Sequence, residues 1–172
     1  LVRVQFDVPL AEEMIRAARQ NLLSAGFALI GPQKPLSDLA AAQAAIAELS
    51  NQAVDLTLVF QATFADSTMV TALAEGIDAP LFLWAVPEPW SGGRLRLNSL
   101  CGINLAGHAL TLRHRKFDYA YAAPQSESVI AQIRPLAAAG WLRRKLASSR
   151  LGVVGEHPNG MDTCILDEPR LK

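Results

Sequence analysis

Asp55-Leu56-Thr57-Leu58-Val59-Phe60-Gln61-Ala62-Thr63-Phe64-Ala65-Asp66-Ser67-Thr68 is the stretch on which the fold turns. Its first half, Asp55 to Phe60, is nearly continuously apolar, as a strand buried on both faces must be. Asp66, Ser67 and Thr68 then offer N-caps for a helix carrying Met69, Val70 and Leu73. A buried strand running into a capped helix is half of a β-α-β unit, and repeated units of that kind build a parallel sheet.

The same alternation extends in both directions. Downstream, Pro80 introduces a strand over Leu81 to Val86, and a long loop from Pro87 through Arg96 contains Gly92-Gly93. Leu100, Ile103, Gly107 and Leu110 then mark a helix face, and Phe117 to Ala122 reads as a strand. Ser126 opens a helix holding Val129, Ile130 and Ile133, which Pro135 is expected to kink or interrupt before Trp141 and Leu142. Upstream, Leu39, Ala42, Ile46 and Leu49 form a helical stripe with Ser37 as its N-cap, and Phe27 to Ile30 is a short strand. Leu10, Met14, Ala18 and Leu22 make a further amphipathic helix closed by Gly26. Before it, Val2 to Val8 reads as a first strand ended by Pro9.

The expectation is a Rossmann-like or flavodoxin-like three-layer α/β domain with an open parallel sheet over residues 1–147. Leu151 to Val154 and Thr163 to Leu166 are strand-like, so 148–172 read as the start of a second α/β unit, cut short. The absence of an initiator Met adds the expectation of a trimmed chain or a fragment.

Composition narrows the function classes. An apolar fraction of 51% is ample for a core, and 16 basic against 16 acidic residues leave no net charge. Nucleic acid and anionic membranes therefore lack their usual electrostatic footprint. The Arg143-Arg144-Lys145 cluster reads as cations complementing a helix C-terminus. No apolar run is long enough to cross a bilayer, and the first residues are too short and strand-like for a signal peptide. Two distant cysteines, Cys101 and Cys164, suggest reduced thiols and a cytoplasmic protein.

In open parallel sheets, ligands bind beyond the carboxyl ends of the strands. The loop Gln61 to Thr68 supplies an amide, hydroxyls and an aromatic ring there, where a helix N-terminus points free N–H groups outward. Gln61 and Thr63 could bond the hydroxyls of a polyol, and Phe64 could cover an apolar sugar face. The opposing reading is helix capping by Asp66 or Ser67 with Phe64 in the core. Gln61 ends a buried strand and needs some partner in either case. The loop after the next strand holds Glu88, Trp90, Arg94, Arg96, Asn98 and Ser99. Trp90 is suited to stacking on a ligand or a neighbouring subunit, or to pinning a surface lid. Asn98 and Ser99 suit a helix cap, and Cys101 reads as a small packed core residue.

His108, His114 and His157 have no metal spacing with each other or with the cysteines, and a site at Glu156, His157 and Asp162 lacks support. The loop after Phe60 has no glycine for close phosphate approach, which weighs against a flavin or nucleotide. Asp55 begins its strand rather than ending it, which weighs against a phosphoacceptor domain. No catalytic or metal residue is assigned within this chain, and no cofactor is expected in it.

Several segments together carry a family resemblance. They are the opening stretch, Ala79-Pro-Leu-Phe-Leu-Trp-Ala-Val-Pro-Glu-Pro89, Leu95-Arg-Leu-Asn-Ser-Leu-Cys-Gly102 and Arg150-Leu-Gly-Val-Val-Gly-Glu-His-Pro-Asn-Gly-Met161. From about residue 50 onward the chain resembles the N-terminal region of L-fucose isomerase/L-arabinose isomerase-like proteins. The resemblance implies a Rossmann-like first domain of an oligomeric aldose-ketose isomerase. It also implies a divalent cation, typically manganese, bound by carboxylates and histidine of later domains. The N-terminal domain is then expected to shape a neighbouring subunit's sugar pocket through the loop after its third strand, here Gln61 to Asp66. A non-catalytic sugar-binding or protein-interaction module with the same fold is the alternative.

Overall fold

The computed structural model describes residues 1–89 and 92–171. Three strands, β1 (Thr57–Gln61), β2 (Leu81–Ala85) and β3 (Asp118–Tyr121), form one parallel sheet in the order β1-β2-β3. Five helices surround it: α1 (Val8–Ser24), α2 (Leu39–Leu49), α3 (Ser67–Gly76), α4 (Ser99–Leu112) and α5 (Glu127–Ala147).

Strand pleating explains the layers. Val59, Leu81, Leu83 and Ala85 point to one face and pack with Met69, Leu73, Ile103 and Leu110 of α3 and α4. Phe82, Trp84 and Ala120 point to the other, against Ala18 and Leu22 of α1 and Val129 and Ile133 of α5. Helices on both faces bury β2 along its whole length, which is why Leu81 to Ala85 carries no alternation. Trp84 is satisfied inside this core: its Nε1 donates to Ala122 O at 3.0 Å, and its ring meets Phe60 edge-on at 5.2 Å. The expected three-layer α/β domain with an open parallel sheet is the architecture found.

Several expected elements differ. Val2 to Val8 is not a strand. Asp7 caps α1 by accepting from Leu10 N, and Pro9 occupies the first turn of the helix, where its missing N–H costs nothing. Phe27 to Ile30 and Leu151 to Val154 join no ladder among the described residues. A strand exists only where a neighbour takes its backbone groups. Thr163 to Leu166 is not a strand either; Asp162–Cys164 form a single 3-10 turn. Pro135 does not interrupt α5, which runs unbroken over 21 residues. Cys101 is exposed rather than packed, because the inward side of α4 is carried by Ser99, Gly102, Ile103 and Ala106. The α2 cap is Asp38, not Ser37.

The basic cluster near the end of α5 ties this helix to the sheet's entry loops. Arg144 pairs with Asp55 and Arg143 with Asp78. Gly140 makes the close approach possible: a Cβ there would lie 1.8 Å from Asp55 O.

Candidate functional site

The loops that follow β1 and β2 meet at the carboxyl edge of the sheet, together with residues 3–7. Asp66 accepts from Thr68 N at 3.0 Å and so starts α3 directly after the loop Ala62 to Ala65. Its Oδ2 also takes a 2.5 Å ion pair from Arg3 Nη2. The Thr68 hydrogen bonds, with Arg3 adding to them, hold the Asp66 carboxyl below its ordinary pKa. Arg3 donates onward to Ser37 O at 3.0 Å, so one guanidinium joins three segments.

Glu88 organises the second loop. Its Oε2 accepts from Arg96 N at 2.5 Å and Leu97 N at 2.8 Å, and its Oε1 accepts from Asn98 N at 2.6 Å. A carboxylate holding three backbone donors is a strong local organiser. It allows Asn98 to begin α4 in a left-handed conformation, φ 52°, without a side-chain cap. Arg96 pairs with Asp7 at 2.6 Å. The two loops are then stitched together: Phe64 N donates to Leu97 O at 2.7 Å. Ser99 Oγ donates to Gln61 O in a short contact and accepts from Val86 N at 3.0 Å.

Gln61 and Thr63 are both fully buried. Gln61 Nε2 donates to Ala65 O at 3.2 Å, while its Oε1 is buried with no partner. Thr63 Oγ1 accepts from Arg3 N at 2.8 Å and donates to Phe64 O at 3.2 Å. Both side chains therefore shape the loop from inside instead of facing outward from it. Phe64 is half-buried, its ring centroid 6.1 Å from that of Phe6, and the exposed Arg94 lies 5.8 Å above the Phe6 ring. Trp90 lies outside the described residues.

Of the four residues expected to bind a sugar, Gln61 ends β1 and Thr63 and Phe64 lie in the loop that follows, with only Phe64 reaching its surface. Phe6 and Arg3 were missed because residues 2–8 read as a strand; the Asp7-x-Pro9 cap signal was the clue to a loop there. Among the described residues, no group of three or more His, Cys, Asp or Glu lies close enough to hold a metal ion. These residues do not fit a manganese centre, and no chemical step is assigned to one in this chain. No helix of the described residues is long and apolar enough to cross a membrane.

Comparison with known proteins agrees with this geometry. Residues 2–141 match the family described as fucose/sulfoquinovose isomerase, N-terminal domain, from the first loop into α5. The sulfoquinovose isomerase of Priestia aryabhattai is 28% identical over 99% of this chain, which spans 38% of that protein. The sulfoquinovose isomerase of Clostridium sp. (strain MSTE9) is 36% identical over 61% of this chain and 24% of its own length. That of Alkalicoccus urumqiensis is 34% identical over 60% of this chain and 24% of its own length. The chain thus covers well under half of these relatives. Its match runs through both site loops and most of the helical framework that holds them, and the chain belongs to the fucose/sulfoquinovose isomerase family as its N-terminal domain.

Proposed function

We propose that this domain serves an aldose-ketose isomerase by shaping its sugar pocket and assembling its oligomer, without performing the chemistry itself. The observation that carries this reading is the surface at the carboxyl edge of the sheet. There the half-buried rings of Phe64 and Phe6 lie tilted against each other with the exposed Arg94 over the Phe6 ring, on loops fixed by Glu88, Arg3, Ser99 and Gln61. Aromatic faces suit the apolar side of a sugar ring, and a guanidinium suits an anionic substituent. Sulfoquinovose, the sugar in the names of the relatives, carries a sulfonate and would use both.

In this reading Gln61 and Thr63 are positioning residues and Phe64 meets the sugar, in a pocket completed by a neighbouring subunit. Trp90 lies outside the described residues and is assigned to the sugar from the sequence alone. Manganese, with the carboxylate and histidine groups that hold it, belongs to the part of the isomerase outside these residues. Bound there, such a cation would supply Lewis-acid polarisation of the sugar carbonyl.

The protein expressed from its complete gene is the material for the test. Supplied with manganese, it is expected to convert sulfoquinovose or L-fucose to the ketose and to sediment as an oligomer. A monomer that binds either sugar without converting it would favour a non-catalytic sugar-binding module on the same fold.

A further inference from the structure

β1 is an edge strand, and most of its outer edge is open. Thr57 N donates to Pro80 O and Thr57 pairs with Leu81, so the odd-numbered residues of β1 bond inward to β2. The even-numbered residues face the other way. Leu1 occupies only the top of that side: its amino group donates to Phe60 O at 2.6 Å, and Ala62 N donates to Leu1 O at 3.2 Å. Those two bonds are the signature of a parallel bridge, with Leu1 set opposite Gln61. Below it, the outward backbone groups of Leu58 meet no strand among the described residues.

Two cavities of about 210 and 500 Å³ flank this edge, and both are bordered by Leu56, Leu58 and Phe60. The first reaches Leu49, Leu73 and Ile77 on one face of the sheet, and the second reaches Leu22, Phe27 and Ile133 on the other. The far wall includes Ile30, which ends the apolar run that forms no ladder. The opening is therefore a slot between Phe27–Ile30 and β1, apolar above and below, with unpaired backbone along one side.

We propose that this slot receives a β-strand joined to the amino side of Leu1, running parallel to β1 and composed of consecutive apolar residues. The register follows from Leu1. The residue two before it falls opposite Val59, bonding Leu58 O and Phe60 N, and the residue four before it falls opposite Thr57. About five residues fill the slot at one side chain per face in turn. Both faces are apolar, so the segment is a continuous Val, Ile and Leu run rather than an alternating one. With the strand in place, Phe27–Ile30 gains a neighbour. The amino group of Leu1 becomes a peptide N–H and no longer needs to bury a charge, which otherwise lowers its pKa to about 5.

Hydrogen exchange on the protein made from its complete gene tests this at single amides. The expected result is that Leu58 and Phe60 N–H exchange within about tenfold of Leu83 N–H, which lies in the central strand. Removing the residues ahead of Leu1 should then speed Leu58 and Phe60 by about a hundredfold or more and spare Leu83. Fast exchange in the complete protein would overturn the proposal. So would protection that survives the removal, protection lost on dilution as from a second copy, or a gene that encodes nothing ahead of Leu1.

Discussion

Gly102 makes a sharp test of how the site loop is held. A Cβ at this position of α4 would lie 1.9 Å from Gln61 Nε2, 2.8 Å from Gln61 Cδ and 3.3 Å from Ala65 N. Gln61 has nowhere to retreat, because it is fully buried and its amide is bonded to Ala65 O. In Gly102→Ala the overpacking costs about 1–3 kcal/mol. Displacing the amide leaves a buried carbonyl unpaired at about 1–3 kcal/mol. The gain in helix propensity returns about 1 kcal/mol. The net expectation is a loss of about 3 kcal/mol, or roughly 6–12 °C in Tm for a chain of this size. Urea unfolding followed by circular dichroism reads it. A double-mutant cycle isolates the cause: in a Gln61→Ala background the new methyl has room, so the cost of Gly102→Ala should shrink by at least about 1 kcal/mol. Wild-type stability for Gly102→Ala, or strict additivity in the cycle, would refute the account of Gln61 as a packed positioning residue.

Other perturbations probe the remaining contacts. Glu88→Ala should strip three backbone donors of their acceptor, speeding exchange at Leu97 and Asn98 N–H by about tenfold and costing about 2 kcal/mol overall; unchanged exchange would show that the loop holds itself. Trp84→Phe should lose about 2 kcal/mol through the bond to Ala122 O and the vacated volume, and a smaller loss than Ile→Val truncations in the same core would count against it. Asp7, Asp38 and Asp66 all have lowered pKa values, chiefly from hydrogen bonds of Leu10, Ala41 and Thr68. Their stabilisation is therefore present above about pH 4 and lost as acid titrates them through their folded values. The buried Leu1 amine is lowered from 8.0 to about 5. In a chain starting at Leu1, stability should thus rise by about 4 kcal/mol between pH 5 and 8, and acetylating the amine should flatten that rise.

What could be read in the sequence divides along physical lines. The strands at Thr57–Gln61 and Leu81–Ala85 were legible because burial against helices writes itself as an apolar run, whereas Asp118–Tyr121, with only Ala120 buried, was marked by aromatic residues that favour strands. The helices were legible because Asp66, Gly26 and the 3.6-residue stripes mark their ends and faces. Val2–Val8, Phe27–Ile30 and Leu151–Val154 have similar apolar content, yet a strand needs a neighbour, which local pattern does not reveal. The site was half legible. Gln61 ending a buried strand announced a need for partners, but those partners are Ala65 in the next loop and Ser99, which lies 38 residues away. Only folding shows that they are protein groups, and Phe6 joins Phe64 across 58 residues by the same long-range closure.

The measurement closest to the central claim is steady-state isomerisation by the complete-gene protein with Phe64→Ala beside wild type. If Phe64 supplies a face of the sugar pocket, KM should rise about tenfold, equivalent to about 1.4 kcal/mol of lost binding, with kcat changed by less than about twofold. An unchanged KM in a folded, oligomeric Phe64→Ala protein would contradict a pocket built on this loop.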